Sequence, residues 1–62
     1  MLNVRIVGEE RTQILLHVKE VEVSNTCVTA THKDDSINVA EIVSPSTIFI
    51  MVGKTTVDKI MK

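Results

Sequence analysis

The segment Gly53-Lys54-Thr55-Thr56 carries the residue types of a phosphate-binding loop. Such a loop places a glycine, a lysine and a hydroxyl between an apolar strand and a helix, and it needs another glycine five residues before the Gly-Lys pair. Ile48 occupies that position, and the residues between are apolar strand material. We therefore interpret the segment as a strand end, a glycine turn and a helix cap. An anion at the helix N-terminus is the weaker alternative.

The histidines His17 and His32 are the pair from which a metal site could be built. If Ser24-Asn25 is a hairpin turn, strand pairing places the two imidazoles opposite each other on one face. Zinc would need a third protein ligand, and Cys27 has the opposite parity and points to the other face. A bulge near Lys19 would also break the pairing. We predict surface histidines, no metal site and no cofactor.

Groups for covalent or acid–base catalysis are scattered along the chain. Cys27 has no Cys-x-x-Cys partner, so we expect a half-buried sheet residue. Glu20 and Glu22 alternate with valines, which is typical of the solvated face of a strand. A chain of 62 residues has little volume for a concave site. We predict that the protein is not an enzyme and has no catalytic residues.

The charge pattern argues against nucleic acid as the main partner. Seven basic and eight acidic residues give a net charge of −1, and the cations are interleaved with acids instead of forming a stripe. A minority hypothesis is a nucleic-acid-binding regulator that uses three cations of the sheet, Arg5, Lys19 and Lys33, together with the tail lysines Lys54, Lys59 and Lys62. The near-neutral charge favours protein contacts.

The composition indicates a mainly β protein. The chain contains ten valines, seven isoleucines and seven threonines, but one aromatic residue, Phe49. Branching at Cβ restricts side-chain rotamers, which suits a pleated sheet better than a helix. We predict one domain over residues 1–62, an antiparallel sheet or partly open barrel of four to five strands with a short C-terminal helix. The predicted strands are Leu2–Val7, Thr12–Val23, Thr26–Lys33, Ile37–Val43 and Thr47–Val52.

Two of these segments leave alternatives open. In Thr12–Val23, Ile14, Leu16 and Val18 have one parity and the later valines the other, so a β-bulge at Lys19-Glu20 would bring all of them to one face. The alternatives are a strand that is apolar on opposite faces at its two ends, or a helix over residues 9–19, which the clear continuation as a strand to Val23 disfavours. Residues 37–43 fit a strand or a capped helix, and the β-branched side chains favour the strand. The C-terminal helix is predicted from a Thr55 cap and an apolar stripe at helical spacing.

The segment Thr47–Val52 is apolar on both faces of a strand. One face carries Ile48, Ile50 and Val52, and the other carries Phe49 and Met51. Both faces must be covered. The second face is covered either by the C-terminal helix or by another subunit or a partner protein. The predicted interface residues are Ile48, Phe49, Ile50, Met51, Ile60 and Met61.

These features favour a small interaction protein. A chain of this length is marginally stable alone, and one cysteine cannot form an intrachain disulfide, so we expect a homo-oligomer. The start of the chain shows no targeting pattern, no apolar run approaches the roughly 20 residues of a membrane span, and the lone thiol fits the cytoplasm. We predict a non-enzymatic regulator that binds a protein partner, typical of phage or mobile-element accessory proteins. A structural subunit of a larger assembly is a further alternative.

Overall fold

The computed structural model describes residues 1–62 as one open antiparallel sheet of six strands. The strands are β1 (Leu2–Gly8), β2 (Thr12–Val23), β3 (Cys27–His32), β4 (Ile37–Glu41), β5 (Ser46–Val52) and β6 (Thr55–Met61). Their order is β4-β3-β2-β1-β5-β6, so the first four strands are sequential neighbours. The chain then crosses from the β4 edge to the far side of β1, where β5 pairs along the whole of β1.

The predicted mainly β fold is confirmed, but the predicted C-terminal helix is wrong, and six strands replace the four to five expected. Gly53 adopts a φ of 61°, which a hairpin turn requires at its first central position and which glycine accepts most readily. This turn lays residues 55–61 back along β5, with Ile60 opposite Ile48. The apolar stripe fits a helix as well, but three consecutive β-branched residues and a ladder that pairs six of the seven residues of β6 with β5 favour the strand.

The segment that fitted either a strand or a helix forms β4, as the β-branched side chains indicated. Its pairing with β3 runs from Cys27 opposite Glu41 to Thr31 opposite Ile37. The strand ends at Glu41, two residues before the predicted end at Val43. It lies at one edge of the sheet, because β3 is its only neighbour.

Two irregularities bend β2. The register with β3 shifts between Val18 and Glu20, which confirms the predicted bulge. A second shift against β1 lies between Leu15 and Val18, where His17 has a φ of 57°. This second bulge brings Leu15, rather than Leu16, to the side of Val18. The prediction that Ile14 and Leu16 share the core face is therefore wrong, and both side chains are more than half exposed.

The predicted hairpin register between β2 and β3 is also wrong. The structure pairs Val23 with Val28, so the turn lies at Asn25-Thr26 instead of Ser24-Asn25. The Ser24 hydroxyl stabilises this turn by accepting a hydrogen bond from the Cys27 N–H at 3.1 Å. As a result Val18, not His17, lies opposite His32, and the histidine pair proposed from the sequence does not form.

The curled sheet encloses one core. Val4 and Ile6 of β1, Val28 and Ala30 of β3, and Ile48 of β5 are almost fully buried. Strands from both halves of the sheet therefore pack their inner faces against each other, and the bends in β2 bring them together. The complete cluster of buried apolar side chains is Val4, Ile6, Val18, Val28, Ala30, Ala40, Ile42 and Ile48.

The turn between β3 and β4 depends on a charged side chain. The Asp34 carboxylate accepts hydrogen bonds from the hydroxyl and the backbone N–H of Ser36, at 2.6 and 3.1 Å. The hydrogen bond from the Ser36 hydroxyl, and to a smaller degree the one from the Ser36 N–H, lowers the pKa of Asp34 below its ordinary value of 3.8. The ionised carboxylate therefore stabilises the folded turn.

We expect the Asp34→Ala variant to have a lower melting temperature than the native chain at neutral pH. Because the pKa of Asp34 is lowered on folding, its contribution is present above the unfolded pKa and is lost as the pH falls through the folded pKa. The difference between the two melting temperatures should therefore vanish in strong acid. Thermal unfolding followed by circular dichroism measures it. The control is Glu10→Ala in the β1–β2 turn, and an acid-independent difference for Asp34→Ala would contradict the assignment.

Candidate interaction surface

The outer face of the sheet, opposite the core, is uncovered over β1, β5 and β6. Side chains alternate between the two faces of a strand, and the strand register identifies those that share the outer one. The chain has no helix that could cover this face. Its residues are Asn3, Arg5 and Val7 of β1, Thr47, Phe49 and Met51 of β5, Thr56, Lys59 and Met61 of β6, and Thr12 and Ile14 of β2.

A transverse row on this face places Phe49 between two cations. Arg5 lies opposite Phe49 across the β1–β5 ladder, and Lys59 lies opposite Phe49 across the β5–β6 ladder. The Lys59 Nζ is 5.7 Å from the centroid of the Phe49 ring, within the range of a cation–π contact. On the far side of Arg5 the row continues to Ile14, which is 58% exposed.

The two cations beside Phe49 have no carboxylate partner. None of the outer-face residues of β1, β5 and β6 is acidic, and Asp58 lies opposite Ile50, on the core side of β6. The acids on the outer face of β2, Glu20 and Glu22, lie beyond the part of β2 that pairs with β1. The one salt bridge of the chain joins Lys19 and Asp35 elsewhere. We call the set Arg5, Ile14, Phe49, Met51, Lys59 and Met61 the Phe49 patch.

The sheet divides the predicted interface residues between its two faces. The outer face carries three of them: Phe49 and Met51, which are half-buried, and Met61, which is exposed. Ile48 is fully buried in the core, and Ile50 and Ile60 pack against it. The outer-face residues that the interface prediction missed are Arg5, Ile14 and Lys59. They are distant from Phe49 in sequence, and only the strand register brings them together.

The three sheet cations predicted for nucleic acid do not form a common surface. Arg5 belongs to the Phe49 patch on β1. Lys19 lies at the bulge of β2 and donates to the Asp35 carboxylate at 2.8 Å. Lys33 lies in the β3–β4 turn, beside Asp34 and two strands away from β1.

The histidines line a shallow groove at the start of the β3–β4 turn. The His32 Nδ1 lies 2.9 Å from the Leu16 carbonyl oxygen and donates to it, and Nε2 contacts the Asn38 amide. His32 thereby links the bulged part of β2 to the edge strand β4. No group of three or more His, Cys, Asp or Glu side chains is placed to hold a metal ion.

A polar cleft of about 190 Å³ lies where the β1–β2 turn meets the β4–β5 loop. Its lining includes Glu9, Glu10, Arg11 and Glu41. The buried Ser46 hydroxyl on its wall donates to the Val43 carbonyl at 2.6 Å. This volume is below the roughly 300 Å³ at which small-molecule sites begin.

No family model, curated protein or solved structure shows significant similarity to this chain. The chain has no helix of the length and apolarity that a membrane crossing requires. Its single cysteine, Cys27, is a half-buried free thiol.

Proposed function

We propose that this protein is a small, non-enzymatic interaction module that forms a homo-oligomer and binds an acidic, apolar segment of a partner protein on the Phe49 patch. The observation that carries the proposal is a half-buried aromatic ring between two cations without carboxylate partners, Arg5 and Lys59, on the outer face of β1, β5 and β6, where these three strands carry no acidic side chain. A cytoplasmic location is part of the proposal and agrees with the free thiol of Cys27.

The chemistry of the patch defines the kind of partner. Phe49, Met51 and Arg5 belong to the residue types that are enriched at protein interfaces. The apolar side chains gain from being covered, whereas Arg5 and Lys59 must keep a hydrogen-bonding or charged partner when water is removed. A segment with carboxylates on either side of an apolar side chain satisfies both requirements. Such pairing favours recognition of the correct partner and rapid association.

The same residues favour a protein over single-stranded nucleic acid. Nucleic-acid platforms combine several stacking aromatics with a cationic groove that follows the phosphates. Here one ring and two cations stand among the exposed apolar side chains of Ile14 and Met61. An oligonucleotide is therefore the alternative outcome of the binding test.

The test measures fluorescence anisotropy of a labelled peptide of alternating aspartate and leucine residues. We expect saturable binding to the native chain and weak binding of a peptide of alternating lysine and leucine. The double variant Arg5→Glu/Lys59→Glu should bind the acidic peptide about tenfold more weakly or worse. The matched control Arg11→Glu/Lys33→Glu changes the net charge equally outside the patch and should change the affinity by about twofold at most, because exposed distant charges are screened.

Three results would contradict the proposed function. The first is no binding of the acidic peptide by the native chain. The second is an equal loss of affinity in both double variants, which would indicate an effect of net charge alone. The third is tighter binding of a labelled oligothymidylate than of the acidic peptide, together with a steep salt dependence.

A further inference from the structure

The two edges of the open sheet differ in how well they are protected against pairing. On β6 a register shift against β5 lies between Ile50 and Met51, and bulges of this kind hinder regular pairing at an edge. The Lys59 N–H on this strand donates to the Asp58 carboxylate at 2.9 Å. A two-fold pairing of β6 with itself centred on Lys59 would also bring two ammonium groups together. The β6 edge is therefore blocked.

The hydrogen bonds of β3 with β4 identify which backbone groups of β4 face outwards. The Ile42 N–H donates to the Thr26 carbonyl at 2.8 Å, and the His32 N–H donates to the Ser36 carbonyl at 2.8 Å. Even-numbered residues of this segment therefore bond to β3. Because bonding alternates along an antiparallel strand, the N–H and C=O groups of Ile37, Val39 and Glu41 face the open edge.

The open part of this edge is confined to one end of β4. The Gln13 side chain donates to the Glu41 carbonyl at 3.3 Å and occupies that end. Ile37 and Val39 have no such cover, and their side chains are 64% and 65% exposed. No bulge interrupts the ladder of β4 with β3, and β4 contains neither lysine nor proline. Three devices that protect an edge, namely a bulge, a lysine and a proline, are thus absent at these two residues.

We propose that β4 pairs in antiparallel fashion with β4 of a second copy of this chain, with Asn38 opposite Asn38 and Ile37 opposite Val39. In this register the outward N–H and C=O groups of Ile37 and Val39 bond across a two-fold axis. The exposed apolar side chains meet in two equivalent pairs, which stabilises an antiparallel ladder. The result is a dimer with one continuous sheet. The dimer is closed because the two-fold contact occupies the β4 edge of both copies and leaves no β4 edge free for a third.

One of the two neighbouring registers, with Val39 opposite Val39, is disfavoured. It would use the Glu41 carbonyl that Gln13 already occupies, and it would place each Glu41 carboxylate against an Ile37 side chain. A charged group facing an apolar one across a ladder forfeits the gain from apolar pairing. The proposed dimer specifies the self-association within the proposed function, but it does not use the Phe49 patch. Either proposal can therefore fail alone.

Light scattering after size-exclusion chromatography tests the dimer. We expect light scattering to give the eluted native protein a mass twice the 6.9 kDa of one chain. Val39→Lys should give a monomer with an unchanged circular dichroism spectrum, because it places a charge on the open edge. The matched control is Val57→Lys on β6, at a valine 57% exposed, which should remain a dimer. A monomeric native chain, a larger open assembly, or a dimer that survives Val39→Lys would overturn the proposal.

A disulfide tests the register. Residues directly opposite in a non-hydrogen-bonded pair have Cα atoms about 4.5 Å apart, within the range that a disulfide spans. In a Cys27→Ser background, Asn38→Cys should therefore oxidise to a covalent dimer, while Asp58→Cys on the β6 edge should stay largely monomeric in the same oxidant. Non-reducing electrophoresis separates the two species. Equal cross-linking of both variants, or none of Asn38→Cys, would overturn the proposed register.

Discussion

Ile48→Ala should leave the chain largely unfolded at room temperature. Ile48 is fully buried at the centre of the core and lies between Ile6 on β1 and Ile60 on β6. Truncation of a buried isoleucine to alanine lowers the free energy of unfolding by about 2–5 kcal/mol. A core of this size rarely supplies more than about 3–5 kcal/mol in total. Urea denaturation followed by circular dichroism measures the loss.

The adjacent residue provides the matched control. Phe49 belongs to the same strand but to the outer face, where its ring is half-buried beside Arg5 and Lys59. We expect Phe49→Ala to keep a cooperative unfolding transition and to lose affinity for the acidic peptide. If Phe49→Ala destabilised the chain as much as Ile48→Ala, the outer face would be part of the folding core and the proposed function would lose its surface.

His17→Val should lower the free energy of unfolding by about 1–3 kcal/mol, although the His17 side chain is exposed. The backbone at the second bulge of β2 has a φ of 57°, a region that β-branched residues adopt only with strain. The loss arises from the backbone and not from packing. Equilibrium urea denaturation of the native and variant chains measures the difference.

Two control variants separate backbone strain from loss of the imidazole. His17→Gly removes the same ring but accepts a positive φ, so its stability should equal or exceed that of the native chain. Lys19→Val places valine at the other bulge of β2, between Val18 and Glu20, where φ is not positive. This variant also breaks a surface ion pair, which contributes about 1 kcal/mol at most. If His17→Gly and His17→Val destabilised the chain equally, the imidazole itself would be responsible.

Local pattern was a good guide to the strands. The β-branched content predicted a mainly β chain, and alternation located most of β1, β2 and β5. The parity change between Val18 and Val21 predicted the bulge against β3, because an extra residue is the local way to keep both valines on the core side. The bulge at His17 carried no such signal, since Ile14, Leu15 and Leu16 are all apolar and either parity offers a core face.

Local pattern failed where distant pairing decides the conformation. The apolar stripe Val57, Ile60 and Met61 suits one face of a short helix, but β5 offers backbone partners to every residue of 55–61 except Val57. A short isolated helix is marginal in water, so the ladder prevails. The β2–β3 turn lies one residue later than predicted because a local hydrogen bond, from the Cys27 N–H to the Ser24 hydroxyl, closes the turn around Asn25-Thr26.

The sequence by itself determined that Thr47–Val52 is a strand with two apolar faces, because side-chain alternation is a local property. Which face joins the core, and what surrounds the other, was decided by tertiary structure. The pairing of β5 with β1 at the start of the chain buries Ile48 beside Ile6 and places Arg5 next to Phe49. That pairing depends on the whole chain closing around one core, since strands distant in sequence align by the total apolar area they bury.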